Sequence, residues 1–222
     1  MIGKIHTFAS RDALASELAG AILRWAESCE MPGRLELSGG STPRELLSHL
    51  ARCTLPPGLD IVPVDDRCVA PDHEHSNVGM FQAALGTYRT RPLFDERRGI
   101  GGSVEALREA VGFGQDRPRF TILGLGPDGH TASLFPGSAD LAAGLDACAP
   151  AFIAAQPTMD PMVPRITMTS PFIMAADHLV LHFHGAEKWA LFEEARSSAP
   201  TQHPIAHFLR HPAKELDVYY AD

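Results

Sequence analysis

The sequence lacks the patterns that define metal-binding, disulfide-linked and membrane-spanning chains. Its four cysteines, Cys29, Cys53, Cys68 and Cys148, lie far apart and form no Cys-x-x-Cys pair. This spacing argues against a zinc knuckle or a disulfide scaffold and favours reduced thiols. No apolar run approaches about 18 residues, the length that indicates a membrane-spanning helix, and no secretory leader pattern opens the chain. We therefore expect a soluble, cytoplasmic protein.

Positive charge is also scarce, with 19 Lys and Arg against 27 Asp and Glu and a formal net charge of −8. An acidic chain is a poor partner for nucleic acid or an anionic membrane, although a few cations can still form a pocket for an anionic small molecule. The 222 residues, 45% of them hydrophobic, contain no linker, repeat or low-complexity tract. We predict a single domain over 1–222.

Helical and strand-like segments alternate along the chain. Apolar residues from Leu14 to Trp25 repeat at helical spacing after a cap at Ser10 or Asp12. Further strands are predicted at 35–37, 61–64, 120–125, 152–155 and 179–183, and further helices around 46–50, 105–111 and 186–195. This alternation predicts an α/β fold with a Rossmann-like, mostly parallel sheet and helices on both faces.

A glycine-rich turn, Ser-Gly-Gly-Ser-Thr-Pro-Arg-Glu at 38–45, follows the first of these strands. Its glycines let the backbone approach a ligand closely, and Thr42 and Glu45 have the spacing of a capping box around a proline at the first helical position. Amides at such a turn bind phosphate. The predicted anion site consists of Gly39, Gly40, Ser41 and Thr42. A turn without a ligand is the alternative.

The strand predicted at 120–125 ends in glycines that present Asp128 and His130. Open α/β folds place ligands at such strand ends. A histidine can take a proton from water near neutral pH, and a neighbouring carboxylate can orient its ring and stabilise its charge. We predict that His130 is a general base assisted by Asp128. A structural histidine is the alternative.

Gly124, Gly126 and Gly129 also have the Gly-x-Gly-x-x-Gly spacing of dinucleotide-binding folds. That fingerprint needs a helix that begins inside the motif and an acidic residue at the end of the next strand. Here Asp128 stands within the motif, where it would repel a pyrophosphate, and Asp146 precedes an apolar segment rather than ending one. A nicotinamide or flavin enzyme is therefore the weaker interpretation.

Other histidines and cations are candidates for binding. His203, His207 and His211 have a spacing at which metals can be held, as do His182 and His184, but prolines interrupt the first set and no cysteine or carboxylate completes either. We predict no metal site. Cations beside the edges of apolar segments could bind an anion, arginine by its fork and lysine as a point charge. They are Arg67, Arg165 and Lys188.

Taken together, these segments resemble the 6-phosphogluconolactonases, which belong to a sugar-phosphate isomerase-like superfamily together with glucosamine-6-phosphate deaminases. The resemblance runs nearly end to end and is carried by 37–43, 65–71, 75–77, 123–137, 164–169 and 185–188. It implies a sugar-phosphate isomerase-like fold and hydrolysis of 6-phospho-D-glucono-1,5-lactone in the oxidative pentose phosphate pathway, with no cofactor. It further implies that Asp65, Arg67, Arg165 and Lys188 contact a phosphosugar lactone. A monomer or a dimer is compatible with it.

Two alternatives and two departures accompany this resemblance. Deaminases typically continue Ile-Ala-Phe-Asn-Glu-Pro after the histidine, whereas this chain has Thr-Ala-Ser-Leu-Phe-Pro at 131–136 and no matching carboxylate. A non-catalytic sugar-phosphate-binding module is disfavoured because no helix-turn-helix or basic segment adjoins the domain. Asp66 replaces the usual glutamate before Arg67, and Asp160-Pro161-Met162 replaces a common Lys-Pro-Pro. Both departures bear on substrate affinity.

Overall fold

The structure, a computed structural model, describes residues 1–86, 89–112 and 117–222. The strands are β1 (Ile2–Phe8), β2 (Arg34–Leu37), β3 (Asp60–Pro63), β4 (Asp65–Arg67), β5 (Arg89–Thr90), β6 (Arg119–Leu123), β7 (Phe152–Ala155), β8 (Arg165–Met168), β9 (His178–His184) and β10 (Leu216–Ala221). The helices are α1 (Arg11–Ser28), α2 (Arg44–Leu50), α3 (Asn77–Leu85), α4 (Gly99–Gly112), α5 (Leu141–Leu145), α6 (Ser170–Met174), α7 (Ala186–Ala195) and α8 (Ile205–Leu209).

Within the described residues, seven strands form one parallel sheet in the order β1-β10-β9-β6-β2-β3-β5. From β2 the chain moves to β3 and β5 on one side, and then returns to place β6 and β9 on the other side. The direction of strand order therefore reverses between β2 and β6. In open α/β sheets, ligands bind outside the carboxyl ends of the strands at such a reversal.

Helices cover both faces of the sheet, as the sequence predicts. Helices α1, α2 and α3 bury Leu18, Leu46 and Phe81 against one face. Helices α4, α7 and α8 bury apolar side chains such as Phe192 and Phe208 against the other. None of the described helices has the length and apolarity that crossing a membrane requires.

Local chemistry explains where the first helix begins. The Ser10 hydroxyl accepts a hydrogen bond from the Ala13 amide at 3.1 Å and so satisfies one of the free amides of α1. Leu14, Leu18 and Ile22 then fall on one buried face. Ser10, rather than Asp12, is the cap.

A buried ion pair joins the two strands that flank the reversal. Glu36 on β2 accepts two hydrogen bonds from Arg119 on β6, each of 2.8 Å, and one from the Thr121 hydroxyl of 2.5 Å. Glu36 is fully buried, and the Arg119 guanidinium also lies 3.7 Å from the Phe172 ring centroid. Because each charge is buried with its partner, neither is left unpaired.

The strand predicted at 61–64 is confirmed as β3, and the residues after it form β4, which leaves the large sheet and pairs antiparallel with β8. Two local predictions were wrong. Strand β7, interpreted as part of the parallel alternation, pairs antiparallel with β8 as well. The capping box of Thr42 and Glu45 does not form, because Pro43 is itself the N-cap of α2, with helical dihedral angles, and no side chain caps the helix.

Candidate active site

A cleft of about 190 Å³ opens at the carboxyl ends of β2 and β6, where strand order reverses. The loops after these two strands form most of its wall, and β4, β8 and α7 each contribute one or two cations or carboxylates. The structure places these predicted site residues in the wall: Gly39, Gly40, Ser41, Thr42, Asp65, Arg67, His130, Arg165 and Lys188. Asp128 lies outside the wall, in contact with His130.

The loop after β6 holds His130 tightly. The Gly126 amide donates to the His130 carbonyl at 2.8 Å, and the Gly129 amide donates to the Gly126 carbonyl at 3.1 Å. Gly129 has φ of +81°, a conformation that glycine adopts without strain. No helix begins inside this motif, because the next described helix starts at Leu141. The loop therefore lacks the helix that a dinucleotide fingerprint requires.

Asp128 fixes the orientation of the His130 ring. One Asp128 carboxylate oxygen lies 2.5 Å from His130 Nδ1 and also accepts the His130 amide at 3.1 Å. Burial alone would raise the pKa of Asp128, but the hydrogen bonds and the charge of His130 outweigh burial and lower this pKa. An ionised Asp128 makes Nδ1 the protonated nitrogen, so Nε2 is the nitrogen available to a ligand.

A buried phenyl ring contacts both His130 and Arg165. The Phe135 centroid lies 4.5 Å from the centroid of the His130 ring and 5.0 Å from Arg165 Cζ. Phe135 is fully buried. The Phe135 ring thus packs against both the imidazole of His130 and the guanidinium of Arg165.

Two arginines of the cleft wall are held by neighbouring side chains, Arg67 by a hydrogen bond and Arg165 by an ion pair. Arg67 donates to the Asn77 side-chain oxygen at 2.7 Å. Asn77 itself packs where a Cβ on Gly39 would be, 1.8 Å from its side-chain oxygen, so this position requires glycine. Arg165 lies 3.8 Å from an Asp65 carboxylate oxygen that also accepts the Ser133 hydroxyl at 2.5 Å. Both guanidinium groups are thus held in place.

Unpaired polar atoms cluster in the cleft wall. Three buried side-chain atoms there have no hydrogen-bond partner within the described part of the chain: Arg67 Nε, Thr131 Oγ1 and Arg165 Nε. Thr131 and Arg165 are almost completely buried, at 1% and 4% exposure. Buried polar groups are normally hydrogen-bonded, so these three atoms are polar groups that the described residues leave unused.

Lys188 lies beside the glycine-rich turn in the cleft wall. Its ammonium lies 3.4 Å from the Thr42 hydroxyl, and burial lowers the pKa of Lys188. No carboxylate of the described residues forms an ion pair with it. Gly40 has φ of +89°, and the amides from Gly40 to Thr42 donate no hydrogen bond to a described residue. A partly desolvated cation and free amides together suit an anion.

The two departures from the family pattern lie outside the cleft. The Asp66 carboxylate accepts the amides of Arg67, Asn77 and Val78 at 2.7 to 2.9 Å and so supports the first turn of α3. Burial, as the largest effect, raises the pKa of Asp66 to about 6. Residues 160–162 are not part of the cleft wall.

Three of the histidines considered as metal ligands are buried or contact other groups. His182 is buried on β9, and this burial lowers its pKa to about 3. His207 lies 2.7 Å from the Ser170 hydroxyl, and His203 contacts the backbone of Asp128. Among the described residues, no three His, Cys, Asp or Glu side chains are arranged to hold a metal ion.

Sequence reasoning assigned no role to Asn77, Thr131, Ser133 or His203. Asn77 and Ser133 stand inside the quoted motifs, but the contacts that matter cross 10 to 68 residues of chain. Spacing along a sequence carries no signal for such contacts. The close packing of Asn77 on Gly39 explains why position 39 of the turn is glycine as well as position 40.

Known proteins share this architecture. The chain matches the family described as glucosamine-6-phosphate isomerases/6-phosphogluconolactonase over residues 9–218. It is 32% identical to a 6-phosphogluconolactonase of Rhizobium meliloti, with 100% of each chain covered, and 32% identical to one of Mesorhizobium japonicum, with 97% and 94% covered. The crystal structure of a 6-phosphogluconolactonase from Shewanella baltica superposes with a TM-score of 0.90 at 27% identity, covering 99% of this chain and 97% of that one. The chain therefore belongs to the glucosamine-6-phosphate isomerase/6-phosphogluconolactonase family.

Proposed function

We propose that this protein hydrolyses 6-phospho-D-glucono-1,5-lactone to 6-phospho-D-gluconate, the second step of the oxidative pentose phosphate pathway. Full-length relatives named 6-phosphogluconolactonase support the substrate. The observation that carries the reaction type is the contact between Asp128 and His130, whose ring lines the same cleft as Lys188. The His130–Asp128 pair suits proton transfer, and Lys188 suits an anion.

Phe135 favours the lactonase over a deaminase. It occupies the position where the deaminase pattern has glutamate, and its ring is fully buried against His130. A deaminase moves protons between sugar carbons and needs a carboxylate there. A phenyl ring cannot transfer a proton, whereas hydrolysis of a lactone needs only one general base beside the carbonyl.

His130 would activate the attacking water. With Nδ1–H donated to Asp128, Nε2 carries the lone pair that takes a proton from water as the oxygen attacks the lactone carbonyl. Asp128 stabilises the imidazolium that forms. The same imidazolium then gives its proton to the ring oxygen as the carbon–oxygen bond breaks, so that acid and base roles fall on one residue.

Arg165 is suited to the oxyanion that develops during attack. Its guanidinium shares the Phe135 surface with His130, and its Nε lacks a partner within the described residues. A donor already held in position stabilises developing charge without reorganising, which is the source of its catalytic effect. The neighbouring Thr131 hydroxyl can supply a second hydrogen bond.

The phosphate would lie against Lys188 and the turn from Gly39 to Thr42. These groups line the same cleft as His130 and Arg165, so an anchored phosphate would hold the lactone ring within that cleft. Arg67 adds a further positive charge to the cleft wall. We propose a cytoplasmic enzyme that needs neither metal nor organic cofactor, folded as one domain and working as a monomer or a dimer.

The proposal is tested by lactone disappearance on 6-phosphogluconolactone made freshly in the assay, because lactones also open slowly in water alone. Wild type, His130→Ala, His178→Ala and a protein-free blank are compared at one pH. His178 is exposed at the amino end of β9, away from the cleft. Fast hydrolysis by wild type and His178→Ala, with His130→Ala near the blank, is expected. Folded wild type no faster than the blank would reject the function.

A further inference from the structure

His203 lies behind the cleft, not in it. It precedes α8, is 9% exposed, and makes one polar contact from each ring nitrogen. Nδ1 is 3.2 Å from the backbone carbonyl oxygen of Asp128, and Nε2 is 3.2 Å from a carboxylate oxygen of Glu194 on α7. The ring therefore bridges α7 and the loop that carries the proposed base.

Both partners of the His203 ring are acceptors. A carbonyl oxygen and a carboxylate oxygen can only accept, so any hydrogen bond in these contacts is donated by the ring. Gln202 donates to the same Glu194 oxygen at 3.4 Å. The His203 ring thus links Glu194 on α7 to the backbone of the loop at Asp128.

The segment around His203 also restrains the next loop residue. A Cβ at Gly129 would lie 2.5 Å from His203 Nδ1, so the ring packs directly on the Gly129 backbone. The Ile205 amide donates to the Gly129 carbonyl at 3.0 Å. Residues 203–205 thereby fix the backbone of Asp128 and Gly129 from the side away from the cleft.

We infer that His203, held by Glu194, is a positioning residue for the Asp128–His130 pair. It touches no substrate and acts by holding the Asp128 backbone, from which the Asp128 carboxylate reaches His130 Nδ1. Without His203 the loop is free to shift, so the Asp128 carboxylate no longer holds the His130 imidazole in one orientation. Misplacement of reacting groups by about 1 Å costs roughly 100-fold in rate. This inference rests on the proposed function.

The test compares His203→Leu, which removes both ring nitrogens, with His203→Asn, whose amide nitrogen stands near the place of Nδ1. His207→Leu is the matched control, since His207 lies one helical turn further and contacts Ser170 instead. We expect His203→Leu to lower kcat by about 10- to 100-fold with KM nearly unchanged, because Lys188 still anchors the phosphate. His203→Asn should recover most of kcat, and His207→Leu should match wild type.

Glu194→Gln tests the other partner of the His203 ring. The Glu194 side chain is 58% exposed, so we expect this variant to fold normally. A several-fold lower kcat at unchanged KM is expected. Wild-type kcat in folded His203→Leu or in Glu194→Gln would overturn the inference. A similar fold-change for the worse in both kcat and KM of His203→Leu, without recovery in His203→Asn, would also overturn the inference. That pattern indicates a general loss of structure.

A readout that does not need activity separates this inference from the proposed function. The proton that His130 Nδ1 shares with Asp128 is observable by NMR. Its signal should move or broaden in His203→Leu and stay in place in His207→Leu. An unmoved signal in His203→Leu overturns the positioning role even if no lactone is hydrolysed, while an inactive wild type with the expected shift rejects only the lactonase function.

Discussion

The His130 ring fills the space beside the Cα atom of Gly126. A Cβ built at Gly126 would lie 2.2 Å from both Cε1 and Nδ1 of the ring, far inside van der Waals contact. The same glycine donates its amide to the His130 carbonyl at 2.8 Å. Gly126 therefore sets both the backbone and the ring position of the proposed base.

Gly126→Ala should consequently displace the His130 ring and lower kcat by roughly 100-fold, the cost of a misplacement of about 1 Å. Steady-state hydrolysis of the lactone, corrected for the blank, measures this. Gly101→Ala in α4 is the control, because nothing lies within 4 Å of its Cβ position. Unchanged kcat in folded Gly126→Ala would show that the ring position is not limiting.

Lys188 and Arg165 should separate binding from chemistry. Lys188→Gln removes a charge-assisted hydrogen bond worth about 1.5 to 3 kcal/mol, so KM should rise about 10- to 100-fold with kcat nearly unchanged. Arg165→Lys replaces a fixed fork by a point charge and should chiefly lower kcat. Lys4→Gln, at an exposed position on β1, serves as the control. The reverse pattern, with kcat falling in Lys188→Gln, would move the oxyanion role to Lys188.

Asp66 should make stability depend on pH between about 4 and 6. Its pKa is raised from 3.8 to about 6, so the folded state favours the protonated form. The stabilisation is present below pH 3.8 and is lost as pH rises through about 6, by an amount of about 3 kcal/mol for this shift.

Urea unfolding of wild type and Asp66→Asn across this range measures the effect. The free energy of unfolding of wild type, relative to Asp66→Asn, should fall as pH rises. Asp72→Asn, at an exposed position nearby, should follow wild type at every pH. Parallel curves for wild type and Asp66→Asn would contradict the assignment.

Breaking the buried pair of Glu36 and Arg119 should destabilise the protein strongly. Arg119→Met leaves Glu36 charged and fully buried, which costs about 3 to 5 kcal/mol. The double variant Glu36→Leu with Arg119→Met should recover most of that loss, because no charge is then stranded. Chemical denaturation measures both. A loss below about 1 kcal/mol in the single variant would mean that water reaches Glu36.

Periodicity predicted the elements whose burial follows a simple rule. Helix α7 has the predicted bounds, and α1 begins after Ser10, one of its two predicted caps. Strands β8 and β10 were not predicted. Arg165 is buried within β8 by Asp65, a partner 100 residues earlier in the chain, and polar residues interrupt β10. A charged or polar residue in a buried strand is not recognised from the sequence when its partner lies far away in the chain.

The motifs likewise located the loops of the site but not its internal contacts. Sequence spacing indicated that Asp128 and His130 belong together, since they are two residues apart. It gave no sign that Arg165 and His130 share the Phe135 ring, or that His203 supports Asp128. Those relations depend on how β8 and α8 pack, which only the folded chain determines.

The reversal of strand order between β2 and β6 has a kinetic consequence. The two loops of the cleft are joined by a hydrogen bond from the Gly124 amide to the Ser38 hydroxyl, across 86 residues of chain. Parallel strands so far apart pair late, because the entropy of closing the loop is lost before their contacts form. No partly folded state that lacks this pairing contains a cleft. Activity regained after dilution from denaturant should therefore not appear before β2 has paired with β6.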